Sequence, residues 1–472
     1  MVVLSILLED KFMVLADKKS CQRYASQRLL LILIIVSTVF FCFWSGKENI
    51  YRRDDFALEK ERTVFVGDSF DFFLHFISIS RTRIHASGDT FLFRPGTHLS
   101  IYVQHFLVKN KLVVGLSSIF IASVISILIF IILQSVLGLP AFISAYATLL
   151  FILDPLSMDI ILWRQISPYM CAVLFFCLGV VYCEFSKKKS IWVFSFMLFL
   201  STLFHEYVAI TVLFMVVYLV ALRFFLNFKN DHSSSFKNFF PTKLIFSILL
   251  GVFFIWAGLN IFEYFHYGHT IKSFVSDNGS DKWGLLNSRL DFIINSVKNI
   301  FVYAGATLEA AFAPLAVTVS PSNSLSFSWK FSNQPFMLKI LFSTLSMLFF
   351  VINLIAVTID ILRERQLSLK NFMLLYCMLS LLVCIIFLVL GRGMLRGIDY
   401  IEDATYYYFF TSFSWYILAA YSLQEFSRYI KKNFNQLRGF EILSIFNPRY
   451  GLCVYLGIYI QTLRLMVNSM YK

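Results

Sequence analysis

The sequence predicts a polytopic, all-α membrane protein with about 10–11 transmembrane helices. Composition is the first reason, because 58% of the 472 residues are hydrophobic and 15% are charged, whereas soluble domains carry roughly 25% charged residues. Long apolar runs are the second reason, since about 20 apolar residues are needed to cross a bilayer. The third is the way Lys and Arg collect between those runs.

Eleven apolar runs are candidate spans, and the runs at 141–153 and 191–204 are the shortest of them. The runs are Leu29–Trp44, Leu112–Leu137, Ala141–Leu153, Pro168–Phe185, Ile191–Phe204, Tyr207–Leu222, Leu244–Phe262, Phe336–Leu362, Asn371–Leu390, Tyr406–Leu423 and Tyr450–Met466.

Basic residues set the expected orientation, because Lys and Arg in short loops face the cytoplasm. With a basic N-terminal tail inside, four later basic segments also fall inside if residues 290–319 do not span. A bacterial inner (plasma) membrane, or the ER membrane of a eukaryote, is the expected location. The net charge of +13 is explained by this topology, so nucleic acid is not an expected partner.

This topology divides the chain into four parts. They are a cytoplasmic tail at 1–28, a membrane module at 29–262 with a first outer loop at 47–110, a long outer loop with surface helices at 263–335, and C-terminal transmembrane helices at 336–472.

Ionisable residues beside apolar segments collect on the predicted outer side, where charges at membrane depth are rare and mostly functional. Asp54 and Asp55 follow the first span in YRRDDFALEK. The others are Arg94 and His98 in FLFRPGTHLSIYV, Asp154 and Arg164 in FILDPLSMDIILWRQISP, His205 and Glu206 in LFHEYVAI, and Arg392 in LGRGMLRGIDY. The outer-side loops are therefore expected to form an active face.

These residue types suit group transfer from a lipid phosphate. Either Asp54 or Asp55 can accept the proton of an attacking hydroxyl, and the pair also suits a divalent cation, Mg²⁺ or Mn²⁺, although no metal ligand set is otherwise predicted. Arginine matches phosphate oxygens with two parallel hydrogen bonds. A donor of this kind is itself a membrane lipid, which explains why the enzyme would be embedded in the bilayer.

Four stretches in this order resemble the C-type glycosyltransferase superfamily (GT-C). They are RDDFAL at 53–58, FRPGTHLSIYV at 93–103, LLFILDPLSMDIILW at 149–163 and LFLSTLFHEYVAI at 198–210. The resemblance implies an inverting, hexosyltransferase-type enzyme of glycan or cell-envelope biosynthesis. Its donor would be a polyprenyl-phosphate-linked sugar, and its acceptor a glycan, lipid or protein on the outer (periplasmic or lumenal) face. Together, the residue pattern and the resemblance predict catalysis by Asp54 and Asp55, donor phosphate binding by Arg94, His98, Arg164 and Arg392, and supporting roles for Asp154, His205 and Glu206.

Structural interpretations stand beside these roles. The acidic pair can be a solvated start of a loop, and Arg94 can anchor an interfacial helix. Asp154 before Pro155 suits a helix N-cap, and Arg164 can reach lipid headgroups. The alternative functions are an O-antigen polymerase and a lipid-linked glycan transporter or flippase. A transporter would place charges or broken helices at mid-membrane, and a polymerase would place its key residues in late outer loops.

Overall fold

A computed structural model describes most of the residues between 95 and 229, together with the N-terminal and three C-terminal helices. The described residues are 18–47, 95–108, 110–162, 167–186, 191–229, 300, 304, 317–319, 325–327, 336–364, 367–387 and 408–434. This part of the chain is nearly all helical, which agrees with the predicted all-α class.

The α-helices are numbered here in chain order. They are α1 Lys18–Phe43, α2 Pro95–Tyr102, α3 Lys111–Ile131, α4 Ala141–Ile152, α5 Pro155–Leu162, α6 Met170–Phe185, α7 Ile191–Phe204, α8 Glu206–Lys229, α9 Phe336–Glu364, α10 Leu369–Phe387 and α11 Tyr408–Phe434. Short 3₁₀ or π turns occupy Trp44–Gly46, Val103–Val108, Ile132–Val136 and Ser167–Tyr169.

One short strand pair lies within the loop for which surface helices were expected. Strand β1 (Val317–Val319) pairs antiparallel with β2 (Leu325–Phe327), with Val317 opposite Phe327. The sequence between the two strands, SPSNS, is rich in turn-forming residues.

Five helices in the described part of the chain are long and apolar enough to cross a membrane. They are Ala25–Gly46, Lys111–Val136, Ser167–Phe185, Ile340–Glu364 and Leu369–Ile386. Each coincides with a predicted span, so the protein is an all-α membrane protein. Shorter apolar helices lie at three further predicted spans, namely Ala141–Ile152, Trp192–Phe204 and Ile210–Leu222.

The remaining predicted spans have different outcomes. The run at Tyr406–Leu423 lies almost wholly within α11, which continues to Phe434. The runs at Leu244–Phe262 and Tyr450–Met466 lie outside the described residues.

Helix packing places α3 and α10 inside the bundle and leaves α1 and α9 at its surface. Cys377 and Met378 of α10 are fully buried, whereas Ile352 and Ile355 of α9 are more than half exposed. Lipid chains are as apolar as these side chains, so exposing them to a bilayer carries no hydrophobic penalty. The exposed face of α9 is therefore expected to contact lipid.

The bundle has two ends, and contacts between helices define them. At the first, called the basic end, Arg428 of α11 donates a hydrogen bond of 3.4 Å to the carbonyl oxygen of Gly138, between α3 and α4. Phe194 near the start of α7 contacts Phe372 near the start of α10, with ring centroids 5.4 Å apart. At the opposite end, called the junction end, lie the α4–α5 junction, the turn at Ser167–Tyr169, the α7–α8 junction and the first turn of α11.

Candidate functional site at the junction end

The chain reverses direction at His205, which is the only residue between α7 and α8. Phe194 of α7 lies at the basic end, where it contacts Phe372. Tyr218 of α8 shares a hydrogen bond with Thr358 in the last two turns of α9. Because α9 ends and α10 begins at the basic end, α7 leaves that end and α8 returns to it. His205 therefore marks the tip of a helical hairpin at the junction end.

His205 is also the N-cap of α8. Its Nδ1 accepts a hydrogen bond of 3.3 Å from the backbone N–H of Tyr207, and its carbonyl oxygen accepts one of 3.3 Å from Val208. A ring nitrogen accepts a hydrogen bond only when it carries no proton, so this contact fits the imidazole tautomer with its proton on Nε2. Cap residues usually supply a hydroxyl, carboxylate or amide oxygen; here an imidazole nitrogen supplies the acceptor.

Three aromatic rings surround the His205 imidazole. The centroid distances are 4.4 Å to Phe410, 4.6 Å to Tyr207 and 4.8 Å to Tyr169, whose ring meets the imidazole edge to face. His205 is 1% exposed as a result. This histidine lies in an aromatic pocket formed by α8, α11 and the turn before α6.

Helix α2 packs directly on the end of α7. The hydroxyl of Thr97 donates a hydrogen bond of 2.7 Å to the carbonyl oxygen of Phe204. This carbonyl lies in the last turn of α7, where backbone oxygens have no partner within the helix. An unsatisfied carbonyl in an apolar environment is costly, so Thr97, which is 3% exposed, compensates for the helix ending there.

Gly96 permits this close approach. A Cβ atom at position 96 would lie 3.0 Å from the Phe204 ring and 3.1 Å from the carbonyl oxygen of Leu203. Both distances are shorter than ordinary van der Waals contact. Glycine therefore allows α2 to approach the carbonyl of Phe204 without a shift of the Phe204 ring or of the Leu203 backbone.

Asp154 lies at the α4–α5 junction and is fully buried. Helix α5 begins at Pro155, so Asp154 occupies the N-cap position that the sequence suggested, with proline at the first helical position. The Asp154 carbonyl oxygen accepts a hydrogen bond of 2.7 Å from Ser157 N–H, and the Ser157 hydroxyl donates one of 3.0 Å to the carbonyl of Phe151. These bonds close the turn between the two helices.

A row of phenylalanine rings connects the Asp154 and His205 regions. Phe151, one turn before Asp154, lies 5.3 Å from Phe409 by ring centroids. Phe409 lies 5.6 Å from Phe410, which in turn contacts His205. Both junctions therefore pack against the first turn of α11, and the structure brings Asp154 and His205 to the same end of the bundle.

The other predicted site residues are only partly described. Asp54, Asp55, Arg94, Arg164 and Arg392 lie outside the described residues. His98 lies in α2 and Glu206 begins α8, but the structure describes only the backbone at these two positions. Their assigned roles remain predictions.

Sequence reasoning missed the residues that join the motifs. Gly96 and Thr97 lie inside the FRPGTHLSIYV stretch, and Phe410 closes the TYYYFF stretch, yet no pattern in the sequence signals a contact across 107 positions. The sequence contains one indication that Thr97 makes a backbone contact: it lies two residues after Pro95, which starts a helix. Hydroxyls at such positions often bond to backbone groups.

Comparisons with known proteins returned no match of any kind. No family model, no curated protein and no solved structure matches the chain.

Proposed function

We propose that the protein is a membrane glycosyltransferase that moves a sugar from a polyprenyl-phosphate carrier to a glycan, lipid or protein acceptor. The observation that carries the proposal is the burial of two ionisable side chains at one end of the bundle. Among the Asp, Glu, His, Lys and Arg side chains that the structure describes, Asp154 and His205 are the buried ones. Both lie at helix junctions, and both belong to stretches that resemble GT-C enzymes.

The location of these residues favours chemistry at the membrane surface over transport through its middle. Transporters bind substrate near the bilayer midplane, between broken helices. Here α7 and α8 form a hairpin whose tip is His205, and α2 covers the end of α7 through Thr97. A lipid donor can reach such an end from the bilayer while its sugar extends towards a polar acceptor.

The proposed reaction uses the acidic pair as the base. The acceptor hydroxyl oxygen attacks the anomeric carbon of the sugar from the face opposite the lipid phosphate. As the new carbon–oxygen bond forms, the bond to phosphate oxygen breaks, and the bonding electrons leave with the polyprenyl phosphate. The hydroxyl proton passes to the carboxylate of Asp54 or Asp55. Configuration at the anomeric carbon inverts, and Arg94 stabilises the charge that grows on the departing phosphate.

The carboxylate assignment is tested with two single variants and a matched control. Asp54→Asn or Asp55→Asn is expected to lower the transfer rate by at least about 100-fold, the low end for removing a general base. Asp68→Asn makes the same change in charge within the same predicted loop and should leave the rate unchanged. Near-normal transfer by both Asp54→Asn and Asp55→Asn would show that the pair is only the start of a loop.

The donor class is tested separately. Membranes that contain the protein but lack a synthase for lipid-phosphate sugars should transfer nothing from a nucleotide sugar alone. Adding a polyprenyl-phosphate-linked sugar to the same membranes should start transfer. Efficient transfer from the nucleotide sugar in the absence of the lipid carrier would rule out the proposed donor. Arg94→Ala should weaken binding of the lipid donor while the protein remains folded.

A further inference from the structure

We infer that Gly96 and Thr97 are positioning residues that hold α2, which begins one residue after Arg94 in the sequence, on the tip of the α7–α8 hairpin. The inference rests on the proposed function in one respect, because the ligand whose binding they support is the polyprenyl phosphate. Arg94 and His98 flank Gly96 and Thr97 in sequence, and His205 and Glu206 directly follow Phe204. The hydrogen bond from the Thr97 hydroxyl to the Phe204 carbonyl therefore joins two helix ends whose neighbours in the sequence are candidate ligand-binding residues.

The first argument is the chemistry of the contact. The α7 carbonyl that receives the Thr97 hydroxyl, at 2.7 Å, belongs to the residue immediately before His205. In the continuation of a helix the Phe204 carbonyl would bond the N–H of Val208, but that N–H donates to the His205 carbonyl instead. The chain reversal at His205 thus leaves the Phe204 carbonyl without its helical partner, and the Thr97 hydroxyl of α2 donates to it instead.

The second argument is shape. At position 96 a Cβ would meet both the Phe204 ring at 3.0 Å and the Leu203 carbonyl at 3.1 Å. With the Phe204 ring in place, an added Cβ at position 96 requires the ring, the Leu203 carbonyl or α2 to shift by a few tenths of an ångström, which strains the Thr97 hydrogen bond. Gly96 and Thr97 therefore act together, one by allowing contact and the other by bonding.

A third contact holds the other end of the same segment. Gln104, in the turn that follows α2, donates a weak hydrogen bond of 3.4 Å to the hydroxyl of Ser167. Ser167 begins the turn that carries Tyr169, whose ring lies against His205. The α2 segment is thus attached at two points around the aromatic pocket, which fixes its direction as well as its distance.

The expected effect follows from population arithmetic. If a ligand binds only when α2 is docked, its apparent affinity falls in proportion to the docked fraction. Loss of one buried hydrogen bond changes such an equilibrium by up to about tenfold. Thr97→Val, which keeps the shape and removes the hydroxyl, is therefore expected to raise the apparent Kd for a polyprenyl monophosphate by up to about tenfold. Thr97→Ser keeps the hydroxyl and should stay within about twofold of wild type, a difference of under about 0.5 kcal/mol.

Glycine variants provide a matched comparison. Gly179 in α6 also lies against α7, and a Cβ there would be 3.0 Å from the Phe194 ring, the same crowding at a distance from the hairpin tip. Gly96→Ala and Gly179→Ala should both lower thermal stability. Gly96→Ala alone should raise the Kd for polyprenyl monophosphate and the donor KM, with kcat less affected.

The contact itself is tested without any ligand. In a chain whose eight cysteines are replaced, Gly96→Cys with Phe204→Cys should form a disulfide in native membranes. A protease site inserted between residues 187 and 190 reveals it, since the two fragments stay linked until reduction. Gly179→Cys with Phe194→Cys is the positive control, and Gly138→Cys with Phe204→Cys, at opposite ends of the bundle, is the negative control.

The outcomes separate this inference from the proposed function. No disulfide at 96–204 while the 179–194 pair links would overturn the contact. A disulfide with unchanged Kd in Thr97→Val and Gly96→Ala would overturn the positioning role. If the wild-type protein neither binds polyprenyl monophosphate nor transfers a sugar, the proposed function fails and the positioning role fails with it, while the disulfide still decides whether the contact exists.

Discussion

Replacing His205 separates two contributions to the stability of the hairpin tip. The side chain caps α8 through Nδ1 and packs against three aromatic rings at 4.4–4.8 Å. A lost N-cap costs about 0.5–2 kcal/mol, and each aromatic pair contributes about 0.5–1.5 kcal/mol. His205→Ala removes the cap and all three ring contacts and is expected to lower the free energy of unfolding by about 2–6.5 kcal/mol.

Two further variants at this position divide that loss. His205→Asn keeps an acceptor for the Tyr207 N–H and loses the ring contacts. His205→Phe keeps a ring among Tyr169, Tyr207 and Phe410 and loses the acceptor, so its cost should be about 0.5–2 kcal/mol. Both variants should be more stable than His205→Ala.

Unfolding by sodium dodecyl sulfate in mixed micelles, followed by circular dichroism, measures the series. A His205→Phe protein as unstable as His205→Ala would show that the ring contacts contribute nothing. Wild-type stability in His205→Ala would refute both the cap and the aromatic pocket. Thr202→Ala, one turn earlier in α7, is the control, since its hydroxyl bonds only to the backbone of its own helix.

Three other predictions concern orientation, a turn and a helix–helix contact. Single cysteines at Ser69 and Ser186 in a cysteine-free chain should react with an impermeant reagent at position 69 only, and the reverse pattern would place the junction end in the cytoplasm. Gly138 has φ of +67°, and a Cβ at that position would meet no atom within 4 Å, so Gly138→Ala should cost about 1–2 kcal/mol through backbone conformation alone; a thermal melt equal to wild type would contradict this. Ser422 donates a hydrogen bond of 2.8 Å to the side-chain oxygen of Asn353 across α11 and α9, so Ser422→Ala should cost about 0.6–1.7 kcal/mol in micelles, and a cost near zero would show that this bond contributes nothing.

Within the described residues, hydropathy located the five helices that are long and apolar enough to span a membrane, because burial in lipid demands an unbroken apolar run. It was less informative about where helices end. Helix α1 begins at Lys18 and α11 continues to Phe434, both well beyond their apolar runs. Polar residues such as Lys431 are good helix formers in water, so the helix continues after the hydrophobic signal stops.

In the candidate site, likewise, some features are predicted by a short stretch of sequence and others depend on contacts between distant parts of the chain. Asp154 before Pro155 is a local signal, and the helix start at Pro155 follows it. His205 was recognised as unusual, but its role as a cap depends on the chain reversal. Thr97 and Phe204 lie 107 positions apart, and the fold alone brings them together. Periodicity and capping patterns act over one or two helical turns, so they contain no information about such a pair.

The single residue between α7 and α8 has a consequence for membrane insertion. Helix α7 has 14 residues, about 21 Å at 1.5 Å per residue, which is shorter than the roughly 30 Å hydrocarbon layer. Such a helix is a poor membrane anchor by itself. Helix α8, with 24 residues, follows after the single residue His205, so α7 is not expected to be stably inserted before α8 has been synthesised. We therefore expect α7 and α8 to leave the translocon together, so that a nascent chain stopped after Phe204 would not yet hold α7 in the membrane.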